Sequence, residues 1–208
     1  MIKRHREQSK EYLLCTPRTD LCLDFANTLA WRGSTPAESL HGLADVLEWC
    51  QSNSNIALEV KAATMNWARA HPAEQESLFR EMIAIRESIY RIFHALACNG
   101  APPDKDVAAL NRKFAACPER THIESSKTGF GWRVESSNPT AATMLAPVLW
   151  SAGALLTGTP LTKVRECANR QCLWLFVDDS RNGTRRWCSM QACGNRAKAR
   201  RHYLRHSD

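Results

Sequence analysis

Two cysteine pairs near the C-terminus, Cys167 with Cys172 and Cys188 with Cys193, read as C-x4-C-x15-C-x4-C and constrain this chain more than any other feature. Thiolates delivered two by two from short turns close a tetrahedral site around zinc, an ion with no geometric preference of its own. Two disulfides or four buried free thiols are the competing readings. Nine cysteines is an odd number, and the other five (Cys15, Cys22, Cys50, Cys98 and Cys117) are scattered. The N-terminal run MIKRHREQSK is charged and lacks the apolar stretch of a secretory signal. A reducing, cytoplasmic setting and one zinc ion follow as the expectation. With all four sulfurs engaged the site is closed and structural, and no position remains for a catalytic water.

The segment between the pairs has hairpin character: Leu173, Trp174, Leu175, Phe176 and Val177 form an apolar run, residues 178–183 carry turn chemistry, and residues 184–187 return. Ser189 is placed as a helix N-cap, so Cys193 falls in a first helical turn, where free amides favour its thiolate. Knuckle, hairpin and cysteine at a helix start, in that order, resemble a treble-clef finger. A unit of about 45 residues buries too little to fold alone, so the metal supplies much of its folding free energy. Trp174 and Trp187 are expected in its small core. Four thiolates on a divalent cation leave a formal charge of −2, which Arg170, Arg185, Arg186 and Arg196 partly offset.

The net charge of +7 is placed unevenly. From residue 160 onward there are eleven Lys and Arg against four acids, whereas residues 1–159 balance at seventeen of each. A segment that holds the entire excess points to a polyanionic partner, and nucleic acid is the common one. Along the last helix Lys198, Arg201 and Arg205 share a stripe, with Arg200 alongside; Arg181, Arg185 and Arg186 form a second cluster on the hairpin between the cysteine pairs. Together these seven are the expected DNA contacts, mostly to phosphates. Arg196 has two open roles, holding the knuckle or touching DNA, and Asn195 reads as structural.

Upstream, apolar spacing predicts helices over residues 21–31, 39–50, 57–70, 73–97 and 104–116, the last capped by Asp104. Alternation at Thr121, Ile123, Ser125 and at Phe130, Trp132, Val134 predicts a single β-hairpin, and residues 139–157 return to helix. Residues 1–19 read as a frayed polar start. The expected fold is therefore mainly α with one β-hairpin over residues 1–159, followed by the small zinc finger (β-hairpin and helix) over 160–208. The uncharged stretch 136–162 is interrupted by Pro147, Ser151 and Gly153 and reads as a buried helix rather than a membrane span. Asp24, Asn27, Thr28 and Arg32 are placed as neighbours on the first helix, either lining a small-ligand cleft or forming a solvated stripe or buried helix-to-helix contact.

Two stretches resemble a known bacterial family. Residues 164–203 resemble the CGNR zinc finger, whose naming tetrapeptide stands at Cys193-Gly194-Asn195-Arg196. The runs DLCLDFANTLAWR at 20–32 and LADVLEW at 43–49 resemble the ABATE domain, which typically precedes that finger. The resemblance implies a stress-related transcription regulator that holds zinc through Cys167, Cys172, Cys188 and Cys193. It implies DNA as partner and leaves the effector of the helical domain unnamed; a homodimer is expected by analogy. The alternative is a finger that docks on protein or RNA without reading DNA sequence. No Ser-His-Asp set, phosphate loop, HExxH or paired-carboxylate motif is present, so the chain does not read as an enzyme.

Overall fold

The computed structural model describes residues 10–14, 17–54, 58–126, 129–136, 139–158 and 160–205. In chain order the elements are β1 (Lys10–Leu14), α1 (Leu21–Ala26), β2 (Leu29–Ala30), β3 (Ala37–Glu38), α2 (Leu43–Ser54), α3 (Leu58–Ala70), α4 (Pro72–Ala97) and α5 (Asp104–Ala115). Then follow β4 (His122–Ser126), β5 (Gly129–Ser136), α6 (Ala141–Met144), α7 (Ala146–Gly158), a 3-10 turn (Leu161–Lys163), β6 (Val164–Glu166), β7 (Leu175–Val177), a π-helical turn (Met190–Gly194) and α8 (Asn195–Arg205).

Helix α4 is the pillar. Leu78, Met82, Ile85, Ile89 and Phe93 recur three or four residues apart and all are buried, the stripe by which an amphipathic helix meets a core. Pro72 stands in its first turn, where a missing N–H leaves no bond broken. At the far end Asn99 takes a left-handed φ of 57° and the Gly100 N–H returns to the Ala95 carbonyl at 2.7 Å, which ends the helix. Helices α1, α2, α3 and α5 all pack on α4. Helix α1 packs on the apolar α7, and burial of a side chain such as its Phe25 or Leu21 contributes about 1.5–3 kcal/mol. Buried Ser151 fastens this pair: its Oγ accepts the Cys22 N–H at 2.9 Å and donates to the Thr19 carbonyl at 3.0 Å, satisfying an amide at the start of α1.

Charge is also buried here. Arg86, 2% exposed, lies on the inner face of α4. It donates to both carboxylate oxygens of Glu38 at 2.6 and 2.7 Å, to Glu87 at 2.9 Å and to Thr28 Oγ1 at 3.2 Å. Burial pushes the Glu38 carboxyl up, but Arg86 and the amides of Leu40 and Ser39 outweigh it and hold it below its ordinary value. Asp106, also buried, ties α5 to α4 through Arg91 at 2.7 and 2.8 Å.

The mainly helical class holds, with corrections of detail. The single hairpin is part of a three-stranded antiparallel sheet of order β1-β5-β4, in which Tyr12 pairs with Val134 and Ile123 with Trp132. Five residues of the expected polar start therefore form a strand, because its partner lies some 120 positions away, beyond any local pattern. The first helix stops at Ala26 rather than running to residue 31. Thr28 Oγ1 donates to the Phe25 carbonyl at 2.7 Å, and Leu29–Ala30 pairs instead with Ala37–Glu38. That pairing also delays the second helix to Leu43. Asp104 is the first residue of α5 rather than its cap, since Pro103 takes that place. Helix 139–157 is split at Leu145, just ahead of Pro147. No described helix is long and apolar enough to cross a membrane.

Candidate metal centre and basic surface

Strand β6 delivers Cys167 into a tight turn. Asn169 accepts the Cys172 N–H on its carbonyl at 2.8 Å and the Gln171 N–H on its side chain at 3.2 Å, and Leu173 leaves the turn with φ of 56°. The chain then returns antiparallel, so Leu175 pairs with Glu166 and Val177 with Val164. This is the finger's hairpin. The expected pairing of 173–177 with 184–187 does not form, because the run after Cys172 finds β6 on the near side of the knuckle and residues 184–187 are not a strand. Phe176, Trp174, Trp187 and Trp31 pack around the cysteines.

All four sulfurs lie within 4.8 Å of one another, and Cys172 Sγ stands 3.8 Å from Cys188 Sγ. Zinc–sulfur bonds of about 2.3 Å at tetrahedral angles separate sulfurs by about 3.8 Å, so the cluster fits one ion and excludes the roughly 2.05 Å of a disulfide. The four cysteines hold one structural zinc. Hydrogen bonds from Cys172 and Cys188 hold the Cys167 thiol below its ordinary value, and the same contact pushes Cys172 above it. A divalent cation resolves that competition by accepting all four as thiolates. Outer contacts orient the ligands: Asn169 Nδ2 donates to Cys193 Sγ at 3.4 Å and the Cys188 amide to Cys167 Sγ at 3.5 Å.

The loop back to the second pair is built on Asp178, which is buried. Its carboxylate accepts the Ser180 amide at 3.1 Å, the Ser180 hydroxyl at 2.5 Å and the Arg185 amide at 3.0 Å. Ser189 caps the next turn as expected, its Oγ accepting the Ala192 N–H at 3.4 Å, although that turn is π-helical. Arg185 folds back on the finger's own backbone. Its guanidinium donates to the carbonyls of Cys188 at 2.5 Å, Trp187 at 3.1 Å and Val177 at 3.4 Å, and lies over the Phe176 ring. This expected DNA contact is engaged in holding the second knuckle.

The finger is docked on the helical core, with Val164 and Leu175 inside the main apolar cluster. Cys167 N–H to Trp174 at 2.8 Å and Asp178 N–H to Lys163 at 2.7 Å set the ladder's alternation, which turns both backbone groups of Leu175 away from β6. The Asn27 side chain meets them: Nδ2 donates to the Leu175 carbonyl at 2.8 Å and Oδ1 accepts its amide at 3.0 Å. Tyr90 Oη donates to the Leu173 carbonyl at 3.1 Å, and the Gly33 N–H to that of Gln171 at 3.2 Å. A Cβ on Gly33 would lie 1.9 Å from the Arg170 carbonyl oxygen. Arg196 reaches out of the finger to lie 4.5 Å over the Trp31 ring.

The four residues placed on the first helix thus separate. Only Asp24 lies in α1, paired with Arg18 at the surface. Asn27 holds the finger strand, and Thr28 receives a hydrogen bond from Arg86. Arg32 forms a bidentate pair with Glu87 at 2.8 and 3.0 Å and stacks 3.7 Å over Tyr90. Asn27, Thr28 and Arg32 are thus engaged in contacts within the protein. Asp178-Asp179-Ser180 carried a readable turn signal for the loop. Gly33 and Tyr90 carried none, because their partners are remote in sequence.

The remaining cations face outward. Arg181, Arg186, Lys198 and Arg200 are exposed; the side chains of Arg201 and Arg205 lie outside the described residues. Arg200 and Arg196 join Asn169, Arg170 and Trp187 around a groove of about 370 Å³ between the knuckle and α8. Asn195 donates back to the Gln191 carbonyl at 3.3 Å, a local contact of the helix start.

Comparison with family models places residues 163–206 in the CGNR zinc finger family. A comparison with curated proteins found no match. Neither matching family is one of enzymes. Residues 19–159 match the ABATE model, described as "Putative stress-induced transcription regulator", and the chain belongs to that family, with a CGNR zinc finger at its C-terminal end.

Proposed function

We propose that this protein is a DNA-binding transcription regulator whose zinc-pinned finger carries the contact surface while the helical part holds that surface at a set angle. The observation that carries the reading is the concentration of the whole +7 excess in residues 160–208, with Arg181, Arg186, Lys198 and Arg200 exposed and Arg200 lining the groove. Their long side chains suit phosphate contacts, with α8 bordering the major groove and Arg201 and Arg205 extending the stripe. Arg185 belongs to the scaffold. Neutralising about five phosphates predicts that log K falls against log salt with a slope of about −4 to −5.

The test is a salt-dependent binding titration of intact, zinc-loaded protein on duplex DNA. It is repeated with the variant Arg181→Gln/Arg186→Gln/Lys198→Gln/Arg200→Gln. The variant should flatten the slope by about 3 to 4; equal retention of wild type and variant would overturn the reading. Trp187 in the groove beside Arg196 and Arg200 favours a second reading, a stacked base of single-stranded RNA. Tighter binding of single strands than of duplex would select it. The helical part is the expected seat of a small effector, with a cavity of about 230 Å³ between α4 and α5, lined by Ala84, Ile85, Ser88 and Leu110, as its candidate. A two-fold dimer suits a reader of paired half-sites, and sedimentation with and without DNA measures it.

A further inference from the structure

A second cluster of ligating atoms lies at the seam between helical core and finger, apart from the four cysteines. His94 and Cys98 are one helical turn apart at the C-terminal end of α4 and share a face. Glu166 faces them from β6, and the three ligand atoms lie within 4.8 Å of one another. His94 Nε2 stands 2.8 Å from Glu166 Oε2 and 4.0 Å from Cys98 Sγ. Glu166 Oε2 is fully buried, yet it receives no hydrogen bond of proper geometry even with the imidazole so near. The His94 ring is held in place by Tyr90, whose ring stacks on it at 5.5 Å and whose hydroxyl is anchored on Leu173.

We propose that His94, Cys98 and Glu166 form a second, exchangeable site for a divalent cation of the zinc class. One imidazole, one thiol and one carboxylate make a mixed borderline donor set that suits Zn²⁺ or Co²⁺ and is a poor match for Mg²⁺ or Ca²⁺. Bonds of about 2.1 Å to nitrogen and oxygen and 2.3 Å to sulfur require an N···O separation of about 3.4 Å and an N···S separation of about 3.6 Å. The His94–Glu166 contact opens by about half an ångström and the Cys98 sulfur closes by a similar amount, within the reach of side-chain rotation at a partly exposed site. Binding displaces the Cys98 thiol proton and the proton on His94 Nε2 where one is present, the imidazole keeping its Nδ1 proton, and the ion's fourth position stays open to water. An imidazolium–carboxylate pair alone would account for the 2.8 Å contact. It leaves unexplained both the poorly aligned buried oxygen and the thiol converging on it.

Three ligands, one of them exposed, hold an ion less firmly than four thiolates, three of them buried, so this site fills only after the finger is loaded. Its ligands come from α4 and from the strand that runs into Cys167, so an ion here fastens the finger's first strand to the core. An ion at this site needs no bound DNA.

The experiment uses full-length protein carrying one zinc and measures bound zinc by equilibrium dialysis as buffered free zinc is raised stepwise. Wild type should rise from one to two equivalents. Cys98→Ser and His94→Gln should stay at one over the same range, with second-site affinity lowered more than about 10-fold, the lower bound expected from outer-shell losses alone. Co²⁺ added to the one-zinc protein should give a thiolate-to-cobalt charge-transfer band that is absent in Cys98→Ser, while the first zinc remains bound. A wild type that stays at one equivalent, or variants that still take a second ion, would overturn the proposal. Failure to retain even the first zinc would instead indict the four-cysteine site, which neither substitution touches.

Discussion

Replacing Asn27 by alanine tests whether the finger is a docked part of one core. Asn27 is 7% exposed and Leu175 is 2% exposed, so the substitution strips partners from two backbone groups that water does not readily reach. A buried donor or acceptor left unsatisfied costs about 1–3 kcal/mol, so the pair costs about 2–6 kcal/mol. Against a total stability of about 5–15 kcal/mol that is a large fraction, and for a chain of this size it lowers Tm by about 5–20 °C. The assay is thermal unfolding of zinc-loaded protein followed by tryptophan fluorescence, with amide exchange at Leu175 as the local readout. Asn27→Asp sharpens the test. Its carboxylate still accepts the Leu175 amide but opposes the Leu175 carbonyl, and protonation at low pH restores a donor, so its deficit should shrink on acidification. A variant Asn27→Ala within about 0.5 kcal/mol of wild type, with unchanged exchange at Leu175, would refute the reasoning.

The other predictions bear on the same seam and on the metal. Gly33→Ala should destabilise by about 1–3 kcal/mol or more, because the obstacle is the Arg170 backbone; Gly42→Ala, which meets nothing within 4 Å, is the control and should be near neutral in stability measurements. Acid should weaken the fold through Glu38 and Glu87. Burial pushes both carboxyls up, but Arg86 and Arg32 outweigh it and depress them, so their stabilisation is complete above the ordinary unfolded value of about 4.3 and is lost as pH falls through the lower folded values. Glu38→Gln should flatten that part of a stability-versus-pH curve measured by denaturant unfolding. Removing zinc with a chelator, or Cys172→Ser, should abolish amide protection around the knuckles while α4 stays protected. Arg185→Ala should speed zinc release to a chromogenic chelator, and Arg181→Ala should not, since it is Arg185 that donates to the carbonyls of the second knuckle.

Short-range pattern was enough wherever a residue's partners are near it in sequence. The stripe from Leu78 to Phe93 announced α4, the alternation at Ile123 and Trp132 announced β4 and β5, and the cap at Ser189 was legible from its hydroxyl and position. The four cysteines were legible for a different reason, since few chemistries tolerate that spacing of thiols. Prediction failed where a distant element competed with a local one. Apolar spacing continued through Leu29, yet β3 captured that residue; the strand after Cys172 paired with β6 and not with the residues ahead of it. Arg185 and Arg186 look alike in the sequence, and only the carbonyls of the second knuckle separate the first as scaffold.

The sequence by itself determined the metal, the helical class and the end of the chain that carries the charge, because each depends on composition or on periods a few residues long. Tertiary structure alone decided that the finger sits fixed against α1 and α4. Asn27 and Leu175 are 148 positions apart, and a pair of hydrogen bonds across that distance forms only after the core has brought both segments together.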